Sequence, residues 1–226
     1  MNRMLFKQLS SLLAFSLLLI ACSGTTKQYI SPEYENQQSD EPVSLLVIEK
    51  DDFANHIGNH NFGELRINEQ PLFRERLFSI FTEATGANAN REMKAIDIDQ
   101  SSFEVREFTE GGTNLQILAP ARGTELRTDS EVPRFVVLLD GFRFDSYEEL
   151  VGGDSYAGHE PEVVPRLTFQ TNYLVWDNQS GEAIAWGTIG SDKVIDLSRI
   201  EEIYDSLIRD SMLDMAPKTP FARQRG

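Results

Sequence analysis

The stretch RLTFQTNYLVWDNQSGEAIAWGTIG, residues 166–190, constrains the fold more than any other. Leu167, Phe169, Tyr173 and Val175 share one parity, and Leu174 and Trp176 take the other. Side chains along a strand alternate between faces, so such a pattern reads as strand and not helix. The turn lies within Asn178 to Gly181, where Gly181 can supply a positive φ, and a return strand is expected from about Glu182 to Ile189. Tyr173, Trp176 and Trp186 carry large apolar surfaces on either side of this turn. Cross-strand and core packing is their commoner use, and a partner-docking patch is the alternative.

The remaining elements are arranged around this hairpin. VSLLVI, Val43 to Ile48, suits a buried strand. Phe73, Leu77, Ile80, Phe81 and Ala84 fall on one face of a helix expected over about 71–85, with Pro71 in its first turn and Gly86 at its exit. SSFEVREF and NLQIL suggest two more strands within a section, 87–132, whose arrangement stays open. Phe135 to Leu139 is a continuous apolar run between Pro133 and Asp140-Gly141, expected as a central strand that gives way to a polar loop, DSYEELVGGDSYAGHEPEVVP. Ser198 and Glu201 form a capping box before an amphipathic helix carrying Ile200, Ile203, Tyr204, Leu207, Ile208 and Met212. The fold class expected is α/β of α+β character: one domain over 43–215, with a mixed, largely antiparallel sheet and helices packed on one face. Residues 216–226 are expected as a loose tail.

The amino terminus reads differently. Arg3 and Lys7 precede an apolar run, Leu12 to Ala21, that is too short to span a bilayer as a helix and has the layout of a secretory signal over 1–21. Leu19-Ile20-Ala21-Cys22 resembles the lipobox of bacterial lipoproteins. That resemblance implies a diacylglyceryl group on Cys22, cleavage before it, and acylation of the new amino terminus. More than one acyl chain gives stable anchoring. Ser23 rather than Asp after the cysteine implies, by the same resemblance, the outer membrane, and the absence of an acidic cluster at 23–28 favours a periplasm-facing protein. Residues 22–42 are polar, with two prolines, and are expected as the lipidated cysteine and a flexible tether.

Without residues 1–21 the formal charge moves from −15 to −17, since that segment holds two bases and no acid. Nucleic acid is excluded as a partner, because phosphate contacts need Lys and Arg. Charge alone also disfavours anionic lipid. The three histidines give little chemistry. His56 and His60, separated by Gly58 and Asn59, are weak metal candidates with Asp51 or Asp52, and a polar loop is the commoner use of such residues. Gly153-Asp154-Ser155-Tyr156 looks like the signature of SGNH hydrolases, but the last histidine, His159, follows four residues later and no D-x-x-H pair comes after it, so a catalytic base is lacking. TEGGT at 109–113 and GTIGS at 187–191 read as glycine-bearing turns. No G-x-S-x-G, Walker or Rossmann pattern is present, and no cofactor is expected.

Arg134 to Phe142, the strand ending Tyr173 to Asp177, the turn ending Ser180-Gly181-Glu182, the strand Ala183 to Gly187 and the closing helix resemble, in this order, the periplasmic α/β domains of envelope accessory lipoproteins. That group includes activators of peptidoglycan synthases, polysaccharide-export and curli-type secretion lipoproteins, and auxiliary lipoproteins of ABC transport. The resemblance implies a binding or assembly module without catalytic residues, whose partner is another envelope protein. The alternative is a small-molecule or lipid-binding lipoprotein with an apolar cavity lined by Phe169, Tyr173 and Trp186. A hydrolase and a structural spacer rank below these.

Overall fold

The computed structural model describes residues 27–48, 54–56, 70–87, 89–93, 102–127, 132–153 and 160–221. Cys22, His60, the Asp154–Tyr156 segment and His159 lie outside them. The strands are β1 (Gln28–Ile30), β2 (Val43–Ile48), β3 (Ala54–His56), β4 (Ala89–Met93), β5 (Phe103–Phe108), β6 (Leu115–Pro120), β7 (Phe135–Val151), β8 (Glu162–Asp177) and β9 (Glu182–Val194). The helices are α1 (Gln70–Thr85) and α2 (Ile200–Met215), with short 3-10 turns at Glu110–Gly112, Leu197–Arg199 and Ala216–Lys218.

The main sheet has the order β1-β9-β8-β7-β2-β4, and β3 also pairs with β7. The β1, β9, β8 and β7 neighbours are antiparallel, whereas β2 and β3 run parallel to β7 and β4 parallel to β2. This is a mixed α/β sheet whose antiparallel half is the β7–β8–β9 meander with β1 added at its edge. β5 and β6 form a separate antiparallel pair.

Alternation explains the layers. Leu167, Phe169, Tyr173 and Val175 join Leu45, Val137 and Leu139 under α1 and α2, whose Leu77, Phe81, Leu207 and Met212 are fully buried. Leu174, Trp176 and Trp186 point the other way with Leu46, Val136 and Leu138, and the β5–β6 pair covers them with Phe108, Leu115, Ile117 and Ala119. Both helices therefore share one face. A strand buried on both sides needs apolar residues of both parities, as the hairpin sequence has.

β7 is longer than its apolar run. Its register with β8 shifts between Asp140 and Arg143, and Gly141 has φ +70°. Asp140-Gly141 is thus a bulge and not a strand end, with glycine in the conformation that bulges favour. The extra residue switches parity: Phe135, Val137 and Leu139 face the helices before it, Phe142 and Phe144 after it. The expected polar loop is strand for most of its length, since pairing continues to Val151↔Glu162.

Four boundaries are corrected. The fold begins at Gln28, not Val43: β1 pairs with β9 through Gln28↔Gly187, Tyr29↔Trp186 and Ile30↔Ala185. Three residues are too few to show a period, so the polar residues around them set the impression of a tether. The carboxy-terminal segment is packed through Phe221, which is 1% exposed and lies against the rings of Phe81 and Phe135. GTIGS lies inside β9, where a Cβ on Gly187 would come 2.8 Å from the Lys27 carbonyl oxygen, so glycine lets β1 approach. Asp196, not Ser198, caps the last helical segment: its carboxylate accepts the Ser198 backbone N–H at 3.0 Å, and a 3-10 turn precedes α2. Among the described residues no helix is long and apolar enough to cross a membrane.

Candidate functional site

The β7–β8–β9 meander has two ends of opposite character. At the turn end, polar groups are buried and engaged. Asp177 is fully buried. Its Oδ2 accepts the Tyr34 hydroxyl at 2.6 Å and an Arg134 guanidinium N–H at 2.8 Å, and its Oδ1 accepts the Gln179 backbone N–H at 2.8 Å. A buried carboxylate is tolerable only with such a full set of partners. Burial, then the neighbouring Asp177 carboxylate, raises the Tyr34 pKa above its ordinary value. Next in sequence, Asn178 accepts the Leu126 N–H at 2.8 Å and donates to the Leu126 and Pro133 carbonyls, both at 2.7 Å. The turn thereby ties β8–β9 to the loop after β6 and to the start of β7. Gly181 closes it at φ +66°, where an added Cβ would stand 2.6 Å from the Gly123 Cα. The Trp176 indole N–H donates to the Thr124 carbonyl at 3.0 Å. This end is an assembly hub for the fold.

The opposite end projects as a ribbon. Its last five rungs are Tyr147↔Arg166, Glu148↔Pro165, Glu149↔Val164, Leu150↔Val163 and Val151↔Glu162. At ~3.3 Å per residue it reaches roughly 13 Å. Leu150 is 69% and Val163 51% exposed, directly opposite each other on one rung. By alternation Leu150 and Val163 share the face of Phe144 and Leu167, whereas Tyr147, Val151 and Val194 are exposed on the opposite face and Leu197 follows β9. Six of the eight exposed large apolar side chains among the described residues thus belong to this end of the meander, spread over both of its faces. Single exposed apolar residues are ordinary, but their concentration marks a contact surface. The ribbon is held by Arg166, which bonds Asp192 and pairs with Glu149 at 3.0 Å.

The expected site residues fall apart. Tyr173 and Trp176 are fully buried and Trp186 is 5% exposed, with Trp186 stacked 4.3 Å from Tyr29 and 4.7 Å from Phe108. Its indole N–H donates to Thr113 Oγ1 at 3.1 Å. Phe169 and Tyr173 lie on the helix face and Trp186 on the other. These three cannot line one cavity, which removes the geometry imagined for a small-molecule site. His56 occupies β3 in register with Asp145, and the other hydrolase and metal candidates lie outside the described residues. Among the described residues no group of three or more His, Cys, Asp or Glu side chains is placed to hold a metal ion. The ribbon was missed because carboxylates, glycines and prolines dominate its sequence. The β-branched pair Val163-Val164 and the Tyr147-Leu150-Val151 cluster were the available signals.

No protein-family model matches the chain, and no curated protein sequence matches it. Among solved structures it is similar to a PelC dodecamer from Paraburkholderia phytofirmans, at 15% identity over 89% of this chain and 100% of that one, with TM-score 0.39. It is also similar to a putative neuraminyllactose-binding hemagglutinin homolog from Helicobacter pylori, at 16% identity over 80% and 87%, TM-score 0.40. A minor lipoprotein from Acinetobacter baumannii matches at 10% identity over 78% and 90%, TM-score 0.34. Likenesses this distant carry no functional argument.

Proposed function

We propose that this chain is a non-catalytic lipoprotein, anchored by lipid on Cys22 in the outer membrane facing the periplasm, that docks another envelope protein through the β7–β8 ribbon. The observation that carries the docking reading is the exposed Leu150–Val163 rung with its apolar neighbours. A projecting strand pair that leaves aliphatic side chains in water is stable only because the meander behind it is buried, so its apolar tip is available to a partner. The lipobox-like sequence and basic-apolar leader support the anchor.

The test has two readouts in the native envelope. Wild-type protein should fractionate with the outer membrane, and Cys22→Ser should move to the soluble periplasmic fraction with unchanged melting. A photocrosslinking residue at position 150 should give one discrete adduct with another protein, and the same residue at exposed Val105 should not. Cys22→Ser protein that stays membrane-bound after salt washing overturns the anchor. Absence of an adduct specific to position 150 overturns the docking surface.

A further inference from the structure

Resting on that docking reading, we infer that the ribbon's partner is a protein that presents an apolar patch rimmed by lysine and arginine. The exposed carboxylates Glu148, Glu149, Glu160 and Glu162 border Leu150, Val151 and Val163. Within 146–153 and 160–166 the sole guanidinium among the described residues is Arg166, and it is already engaged by Glu149 and Asp192. The tip therefore combines apolar area with a negative rim. Apolar contact supplies affinity, and the rim selects charge and steers encounter.

This combination chooses among occupants. A second copy would bring the same carboxylates against each other, on a chain of formal charge −15, and like-charge juxtaposition suppresses such pairing. An anionic lipid surface is repelled for the same reason. A cationic apolar protein surface satisfies both halves of the tip.

The in vitro probe is a short amphipathic helix of leucine and lysine, compared with a leucine–glutamate helix of equal apolar content, by fluorescence anisotropy. The leucine–lysine helix should bind the folded domain, and affinity should fall as salt rises. Glu148→Gln with Glu160→Gln and Glu162→Gln, or Leu150→Ser with Val163→Ser, should weaken it about tenfold. Removing equal charge elsewhere, by Glu35→Gln, Glu41→Gln and Glu104→Gln, should have little effect. Equal binding of the acidic helix, or equal loss from both sets of glutamine substitutions, overturns the inference. Dimerisation on sedimentation that Leu150→Ser abolishes, or ribbon-dependent binding to phosphatidylglycerol vesicles, overturns it in favour of another occupant. The native crosslink at position 150 separates the two claims. An adduct that ignores salt and the ribbon glutamines leaves docking intact and defeats the cationic partner; no adduct defeats docking itself.

Discussion

The two ends of the β7–β8–β9 meander use the same three strands for opposite purposes. At the Asn178–Gly181 turn, a fully buried carboxylate and an amide are enclosed and every contact holds chain segments together. At the Leu150–Val163 end, aliphatic side chains stand in water. The usual partition, apolar inside and polar outside, is inverted at both ends. A buried polar group is expensive unless structure needs it, and an exposed apolar cluster serves little purpose in an isolated chain. The difference separates residues that make the fold from residues that are available to use it.

The largest effects should come from the buried side of this comparison. Asp177→Ala removes the acceptor for Tyr34 and Arg134 and leaves a partly buried guanidinium short of its counter-ion. The expected loss is about 3–5 kcal/mol by urea unfolding. A loss below about 1 kcal/mol would reduce the hub to a surface ion pair. Trp186→Ala should cost a similar ~3–5 kcal/mol, because the ring packs between Tyr29 and Phe108. Unchanged melting together with a lost crosslink would move Trp186 into an interface and blur the two ends. Gly181→Ala should cost about 1–3 kcal/mol, through its positive φ and the close Gly123 backbone; a neutral result in the same unfolding assay would mean that the turn relaxes freely.

The same contrast explains what could be read without coordinates. The meander's buried half was legible because burial on both faces leaves a two-parity apolar pattern in Leu167 to Trp176. Both helices were legible from their stripes, and packing onto one face followed from that pattern. Short or exposed elements leave no such record. β1 shows three residues, and its role depends on Gly187 opposite it. The ribbon has solvent on both faces at its tip, so no period is imposed on Glu148 to Val151, and glutamates there look like a loop. The Asp177 hub was invisible because Tyr34 and Arg134 meet it from 143 and 43 residues away in sequence.

Smaller effects sharpen the hub's chemistry. Burial and Asp177 raise the Tyr34 pKa above its usual 10.0. A group whose folded pKa is raised contributes stability in full below its unfolded value and loses it as pH rises through the folded one. Stability should therefore fall above about pH 10. Burial also raises the pKa of Tyr173 and Tyr204, so Tyr34→Phe should flatten that alkaline limb only in part. At neutral pH it should cost about 0.5–1.5 kcal/mol for the lost hydrogen bond. An unchanged alkaline limb by pH-dependent unfolding would remove Tyr34 from this account.

The smallest expected change in stability belongs to the ribbon, and it is the most discriminating. Leu150→Ser with Val163→Ser replaces two exposed side chains on one rung. Surface substitutions away from caps, buried pairs and strained backbone usually stay within about 0.5 kcal/mol. Some cross-strand aliphatic contact is lost, worth roughly 0.2–1 kcal/mol, and two hydroxyls gain solvation in return. The double variant should thus melt within a few degrees of the wild type while the adduct at a neighbouring ribbon position, Val151, disappears. A large drop in melting temperature would mean that the rung is structural, and the two ends would then differ in degree and not in kind. Unchanged melting with an intact adduct would place the contact surface off the Leu150–Val163 rung, on the acidic rim or on the opposite face with Tyr147 and Val151, because only that rung's apolar area would have been removed.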